Sequence, residues 1–149
     1  MTHLIRPVQP SDHAEWLRLR NALWPHEVAE HDAAITDFFA AAPTNLTTLV
    51  IERPDGTLGG FAEVGQRPYA EGCHTSPVGF LEGLYVDADL RRLGWARRLV
   101  AAAEDWARQQ GYTEMGSDCE LENRDSLAMH LALGFDEVER IICFRKALT

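Results

Sequence analysis

The chain has 149 residues and carries 14 Lys+Arg against 23 Asp+Glu, a formal charge of −9. That length suits a single domain, residues 1–149, able to bury a core without disulfides, and 46% hydrophobic with 25% charged residues excludes a disordered tail protein. The acidic balance argues against a nucleic-acid binder, which needs a basic face for phosphates, and suits a cationic partner.

In chain order, Leu4-Ile5 reads as a short strand stopped by Pro7 and Pro10. Ser11-Asp12 then caps a helix, with Glu15 as the capping-box partner of Asp12 and Trp16, Leu19 and Leu23 on one face. A second helix is expected from about Glu27 to Ala42, with Ile35, Phe38, Phe39 and Ala42 inward and Pro43 ending it. Thr47 to Ile51 and Leu58 to Val64 flank the turn Pro54-Asp55-Gly56 and read as a hairpin. Gly65 to Pro77 has no period and reads as a long, functional loop. Val78 to Val86 is an almost continuous apolar run, the pattern of a central strand buried on both faces, with Glu82 as its one carboxylate. Ala96, Leu99, Val100, Ala103, Trp106 and Ala107 then share a helical face that Gly111 ends. Thr113 to Ser117 is a weaker strand, Ser126 to Leu133 a short helix capped by Gly134, and Glu137 to Lys146 a last strand or strand pair. Strands linked by crossover helices, with one hairpin, define an α/β domain with a mixed central sheet flanked by helices.

The cysteines, Cys73, Cys119 and Cys143, form no C-x-x-C pair or zinc-spaced cluster, so no metal is expected. The start Met1 to Pro7 lacks a basic region followed by an apolar run, and no stretch nears the roughly 18 apolar residues of a membrane span. A soluble, cytoplasmic protein with reduced thiols is expected.

Two features carry chemistry. Arg91-Arg92-Leu93-Gly94-Trp95-Ala96 lies between the buried strand and the strongest helix. A helix start offers unpaired N–H groups and a positive dipole end, so this turn suits a pyrophosphate, with Arg91, Arg92 and Arg97 adding charge; the plainer alternative is a cap glycine with solvated arginines. Glu82 is the second, because a carboxylate within an apolar strand is costly unless it is used, paired with an arginine, or locally exposed.

With Leu84-Tyr85-Val86 before it, the turn resembles the acetyl-coenzyme A signature of the GNAT superfamily of N-acetyltransferases, and Asn123, Ser126, His130 and Gly134-Phe135 resemble that superfamily's later helix. Leu23-Trp24-Pro25, Ser76 to Gly83, Ser117-Asp118, Glu122-Asn123 and His130 to Phe135 are similar to bacterial aminoglycoside 6'-N-acetyltransferases over nearly the whole chain. This resemblance implies a GNAT-like fold, acetyl-CoA as co-substrate, no metal, and acetyl transfer to the 6'-amine of an aminoglycoside by direct amine attack, giving antibiotic resistance. It implies that the backbone of Leu84, Tyr85 and Val86 holds pantetheine, that Arg91 to Arg97, Leu93, Trp95 and Ala96 included, holds the pyrophosphate, and that Asn123 bonds the cofactor, although an Asn there is also an ordinary cap. It makes Glu82 and Asp118 ligands of the cationic amine, Glu82 possibly its base through water, sets Trp24 and Tyr69 against the sugar rings, and leaves His26 and Glu139 as further substrate contacts. Much of the superfamily has Tyr where His130 stands; a histidine there is either a proton donor near neutral pH or a packed, hydrogen-bonded side chain. Phe144 likewise stands where some relatives have Tyr. Related enzymes are commonly homodimers, for which Arg140 to Phe144 could supply an interface strand. The competing readings are acetylation of a polyamine or a protein N-terminus, and a non-catalytic acyl-CoA or drug-binding module.

Overall fold

The computed structural model describes residues 2–149. Its elements are β1 (Leu4–Pro7), α1 (His13–Leu23), α2 (Val28–Ala41), β2 (Leu46–Glu52), β3 (Leu58–Arg67), β4 (Val78–Val86), α3 (Trp95–Gln109), β5 (Met115–Ser117) and α4 (Arg124–Ala132). The five strands form one sheet in the order β1-β2-β3-β4-β5. The first three pairings are antiparallel and β4–β5 is parallel, with α3 as the crossover, so the sheet is mixed.

Alternation along the strands builds two cores. Leu49, Ile51, Ala62 and Val64 face α3, where Leu99, Val100 and Ala103 meet them. Val50 and Phe61 face the other way, against Trp16, Leu19 and Ile35 of α1 and α2. Burying a Leu such as Leu99, fully enclosed, contributes about 1.5–3 kcal/mol. A partly buried ion-pair group ties α1 to the sheet: the Asp87 carboxylate accepts from Arg18 at 3.1 and 3.0 Å and from Arg53 at 3.1 Å, while Glu15 accepts from the Leu58 N–H at 2.9 Å. Burial would raise Asp87, yet the two arginines hold its carboxyl below the usual range.

Several expectations are corrected. Asp12 does not form a capping box with Glu15. Its carboxylate is drawn off by Arg6 (2.8 and 3.0 Å) and the Gln9 N–H, and Glu15 by Arg18 and Leu58; charged partners outcompete a cap. Ala42 lies past the end of α2 in the left-handed region (φ 44°) and is exposed. β3 continues through Gln66 and Arg67, since both pair with β4, so the loop is shorter than its composition suggests. β4 is buried at Val78–Leu81 and again at Val86, but Glu82 is exposed and Gly83–Tyr85 are half-buried. The tail after Phe135 forms no strand: no backbone neighbour runs beside it among the described residues, and Ile142 (76% exposed) and Phe144 (91%) have no wall to cover them. No helix among the described residues is long and apolar enough to cross a membrane.

Candidate active site

The site is built where β4 loses its neighbour. β4 and β5 pair only from Gly79–Leu81 to Met115–Ser117, and β4 then runs on to Val86 beside β3 alone. The β3–β4 register slips at this point. Glu63 faces Gly83 and Val64 faces Leu81, so Glu82 is the extra residue of a β-bulge. A bulge re-aims its side chain, and Glu82 accordingly stands out of the apolar strand as an exposed residue. Its two oxygens are gripped by Arg67, Nε to Oε1 at 2.9 Å and Nη2 to Oε2 at 2.7 Å, and the Arg67 guanidinium lies 3.5 Å from the Phe80 ring centroid. The hydrogen bond to Glu82 raises Arg67 above its ordinary value, and Asp118 and Glu71 add to that field. Of these acids only Glu82 bonds the guanidinium; Asp118 and Glu71 act on it through the field alone. In this setting the arginine-paired reading of Glu82 is the one observed.

Past Val86 the chain turns into α3. Gly94 caps it at φ 87° with no atom within 4 Å of where a Cβ would stand. The first α3 backbone bond runs from Arg98 N–H to Gly94 O at 3.1 Å, leaving the amides of Trp95, Ala96 and Arg97 without a partner inside the helix. Arg91, Arg92, Gly94, Trp95 and Ala96 line a groove of about 220 Å3 with Met129 of α4. Arg91 is folded back, Nε to Val86 O at 2.8 Å, and Arg97 donates to Ala132 O at 2.9 Å. Arg92 and Leu93 are exposed. The turn therefore joins a glycine cradle to a positive helix end, with two of its arginines also doing structural duty.

The other candidates divide. Asn123 is the cap of α4, accepting from Ser126 N–H at 3.1 Å. His130 is half-buried, with Phe135 against its ring at 5.3 Å. Its Nδ1 faces Ser126 O at 2.7 Å and must carry hydrogen, because a carbonyl only accepts. Its Nε2 lies 2.7 Å from Ser117 Oγ, which lies 3.2 Å from Leu81 O. With neutral His130, Ser117 donates to Nε2; with imidazolium, Nε2–H donates to Ser117 and Ser117 turns to Leu81 O. Both protonation states are fully bonded. The packed reading of His130 is the geometry seen, and it leaves the ring able to exchange a proton beside the end of the β4–β5 pairing.

Trp24 lies against β4. Its indole occupies the space beside Gly83, where a Cβ would come within 2.5 Å of Cη2. Tyr69 is exposed in the loop before β4, and that loop is pinned by Glu114, whose carboxylate takes the His74 and Thr75 N–H groups at 2.8 and 2.7 Å. The Thr75 hydroxyl, with these amides, holds Glu114 below the ordinary carboxylate range. Glu114 is thus a loop anchor. His26 and Glu139 are exposed and form no side-chain hydrogen bond among the described residues.

Sequence reasoning missed Arg67 and the partly buried acid Glu63. Arg67 gives no local signal, being polar at the end of a strand. Glu63 gives the same signal as Glu82, a carboxylate in an apolar run; it accepts from Trp16 Nε1 at 3.1 Å and Arg20 Nη1 at 2.6 Å, and burial pushes its carboxyl up against the pull of Arg20. No group of three or more His, Cys, Asp or Glu among the described residues is placed to hold a metal.

The model of the Acetyltransferase (GNAT) family matches residues 13–135. The aminoglycoside N(6')-acetyltransferase type 1 of Klebsiella aerogenes is 46% identical over 147 residues, 97% of each chain. Its counterpart in Serratia marcescens is 46% identical over 134 residues, 89% of this chain and 91% of its own. The crystal structure of the aminoglycoside antibiotic 6'-N-acetyltransferase AAC(6')-Ih from Acinetobacter baumannii superposes with a TM-score of 0.92 at 36% identity, covering 99% of this chain and 100% of its own. AAC(6')-Iy, in complex with the bisubstrate analog CoA-S-monomethyl-acetylneamine, superposes with a TM-score of 0.90 at 37% identity, covering 99% and 100%. The chain belongs to the GNAT family of acetyltransferases.

Proposed function

We propose that this protein is an aminoglycoside 6'-N-acetyltransferase, moving acetyl from acetyl-CoA to the drug's 6'-amine and so conferring resistance. The observation that carries the reading is the near end-to-end likeness to the Klebsiella enzyme, 46% identical over 97% of each chain. The acids around the bulge support it, since a polycation is held best where carboxylates converge.

Acetyl-CoA supplies an activated thioester. The residues present fit it: the open Gly94 cradle and the free amides of Trp95, Ala96 and Arg97 suit its pyrophosphate, with Arg91, Arg92 and Leu93 as the turn that leads in. The unpaired edge of β4 at Leu84, Tyr85 and Val86 suits pantetheine, as an added strand, and Asn123 stands at the head of α4 nearby in sequence to His130. On the acceptor side Glu82 and Asp118 hold the ammonium, Trp24 and Tyr69 flank the sugar rings, and His26 and Glu139 line the rim. Glu82, directly or through one water, takes the first proton of the ammonium; the free amine nitrogen then bonds to the acetyl carbon, the carbon–sulfur bond breaks, and the second N–H proton leaves to water as the amide forms. His130, with Ser117 turning to match, returns a proton to the departing thiolate.

The whole chain works as one domain in the cytoplasm, where acetyl-CoA is made, and as a homodimer. Supporting the dimer are the exposed tail at Ile141, Ile142 and Phe144 and the groove along the free side of β5, about 330 Å3, lined by Gly72, Met115, Gly116, Phe135 and Val138.

Steady-state thiol release with kanamycin, tobramycin, gentamicin and a polyamine tests the reading. Turnover of the drugs, with the product acetylated at the 6'-nitrogen by NMR, is expected; turnover of the polyamine alone would replace it with the polyamine reading, and CoA binding without turnover with the non-catalytic one.

A further inference from the structure

His31 is 2% exposed and has no place in the acetyl transfer. Its environment fixes its proton. Arg20 Nε can only donate, and it points at His31 Nδ1 across 3.3 Å; the Trp24 carbonyl can only accept, and it lies 2.8 Å from His31 Nε2. His31 is therefore the neutral imidazole with its hydrogen on Nε2. Arg20 is itself held by Glu63, which sits opposite Gly83 in the β3–β4 register, next to the bulge.

This chain of bonds ends on one side chain. Trp24 closes α1 with its N–H on Arg20 O at 2.8 Å. Its indole has the Arg20 guanidinium 5.2 Å from its centroid, the His31 ring at 5.8 Å and 34°, and the Phe61 edge at 6.2 Å. The benzo edge, Cη2 and Cζ2, meets Gly83, where only the absence of a Cβ makes room. Trp24 belongs to the short link between α1 and α2, a segment that would otherwise be free to turn; holding its carbonyl and its ring together sets the indole beside Gly83, the residue after Glu82.

We propose that His31, as the neutral Nε2–H tautomer bonded between Arg20 and the Trp24 carbonyl, is a positioning residue that fixes the Trp24 indole as a wall of the aminoglycoside site. The inference rests on the reading of that site given above. It makes His31, Arg20 and Glu63 part of substrate recognition although none of them touches substrate, and it explains a partly buried acid and a buried base in a helix–sheet seam that apolar residues could fill.

The test replaces His31 with Leu, which has no donor, and with Gln, whose amide N–H and carbonyl can stand in for Nε2–H and Nδ1. His31→Leu is expected to raise the aminoglycoside KM about tenfold, the size of one lost hydrogen bond, with the acetyl-CoA KM unchanged and kcat within about threefold; His31→Gln is expected to restore the KM. A second readout needs no turnover. Of the four tryptophans, the 19F resonance of 5-fluorotryptophan at position 24, assigned by its loss in Trp24→Phe, should move to the solvent-exposed position in His31→Leu and return in His31→Gln. A native Trp24 resonance in His31→Leu overturns the proposal, as does an unchanged drug KM in that variant or in Trp24→Ala. Should His31→Leu fail to fold, a displaced resonance or raised KM in the folded Gln variant at once overturns the rescue on which the proposal stands, and native values for both support it. A wild-type protein that turns over no aminoglycoside defeats the functional reading instead, and the resonance still reports whether His31 holds Trp24.

Discussion

Glu82 changes its meaning between sequence and structure. An acid in an apolar strand reads as a ligand and base for the amine, as an arginine partner or as a locally exposed group; the bulge carries Glu82 outward and Arg67 takes one lone pair on each oxygen. Each oxygen keeps a second lone pair, so the carboxylate can still receive an ammonium or a bridging water. Glu82→Gln preserves size and one acceptor while removing the charge. A general base is worth about 10²–10⁴-fold, so kcat should fall by at least about 100-fold and the acidic limb of the kcat/KM profile should disappear; a kcat near wild type would move proton removal to water or to His130. Gly94 offers a cleaner separation of binding from folding. Its φ of 87° strains any residue with a Cβ, by about 1–2 kcal/mol, but nothing lies within 4 Å to clash. Gly94→Glu should therefore fold, slightly destabilised, and lose at least about tenfold in CoA affinity, 1.4 kcal/mol. Calorimetry giving unchanged affinity in the folded variant would remove the pyrophosphate from this turn.

Elements with strong local signals were legible. The α3 face and the hairpin around Pro54-Asp55-Gly56 appear as expected, and the apolar run forms the strand β4 although not with the burial expected along its whole length, because periodicity and turn chemistry are properties of neighbours in sequence. What could not be read depends on partners far along the chain. The Asp12 carboxylate goes to Arg6 instead of a capping box, Glu82 to Arg67 and His130 to Ser117, and a bulge is a property of two strands together. The same limit hides the Arg18–Asp87–Arg53 group that locks α1 to β3 and the β4–α3 turn. This group makes a stability prediction with a definite sign. Asp87 is held below its ordinary 3.8, so its contribution is present above that value and is lost as pH falls through its lower folded value. At pH 7, Asp87→Asn should cost about 2 kcal/mol, less than a fully buried pair because Arg18 is half-exposed, or about 4–8 °C in Tm. Once the pH has fallen through that lower folded value, where the wild-type acid is itself protonated, the two melting curves should converge. Parallel Tm-against-pH curves would mean that Asp87 is not the stabilising charge.

At the scale of the whole molecule, two features of the isolated chain are unfavourable together. The sheet ends on β5, a three-residue strand whose outer side carries no neighbour, and open edges invite pairing with another chain. The tail, meanwhile, presents Ile141, Ile142 and Phe144 to solvent, β-forming residues with no strand beside them. In the dimer proposed above a second copy would answer both at once: each tail would lie along the other's β5 edge, in the groove bordered by Gly116, Phe135 and Val138, and twofold symmetry would make the exchange reciprocal. Sedimentation at micromolar concentration should then give about twice the 16.7 kDa chain mass. Ile142→Glu puts a charge into that seam, where an unpaired buried carboxylate costs several kcal/mol, and should shift the equilibrium to monomer while leaving the CoA groove between α3 and α4 intact. Its drug KM should rise, since Glu139 lies three residues before the disrupted contact, whereas its CoA affinity should not change. A wild-type protein that sediments as a single chain, or an Ile142→Glu variant that remains a dimer, would show that the tail is not the seam and that the β5 edge is covered in some other way.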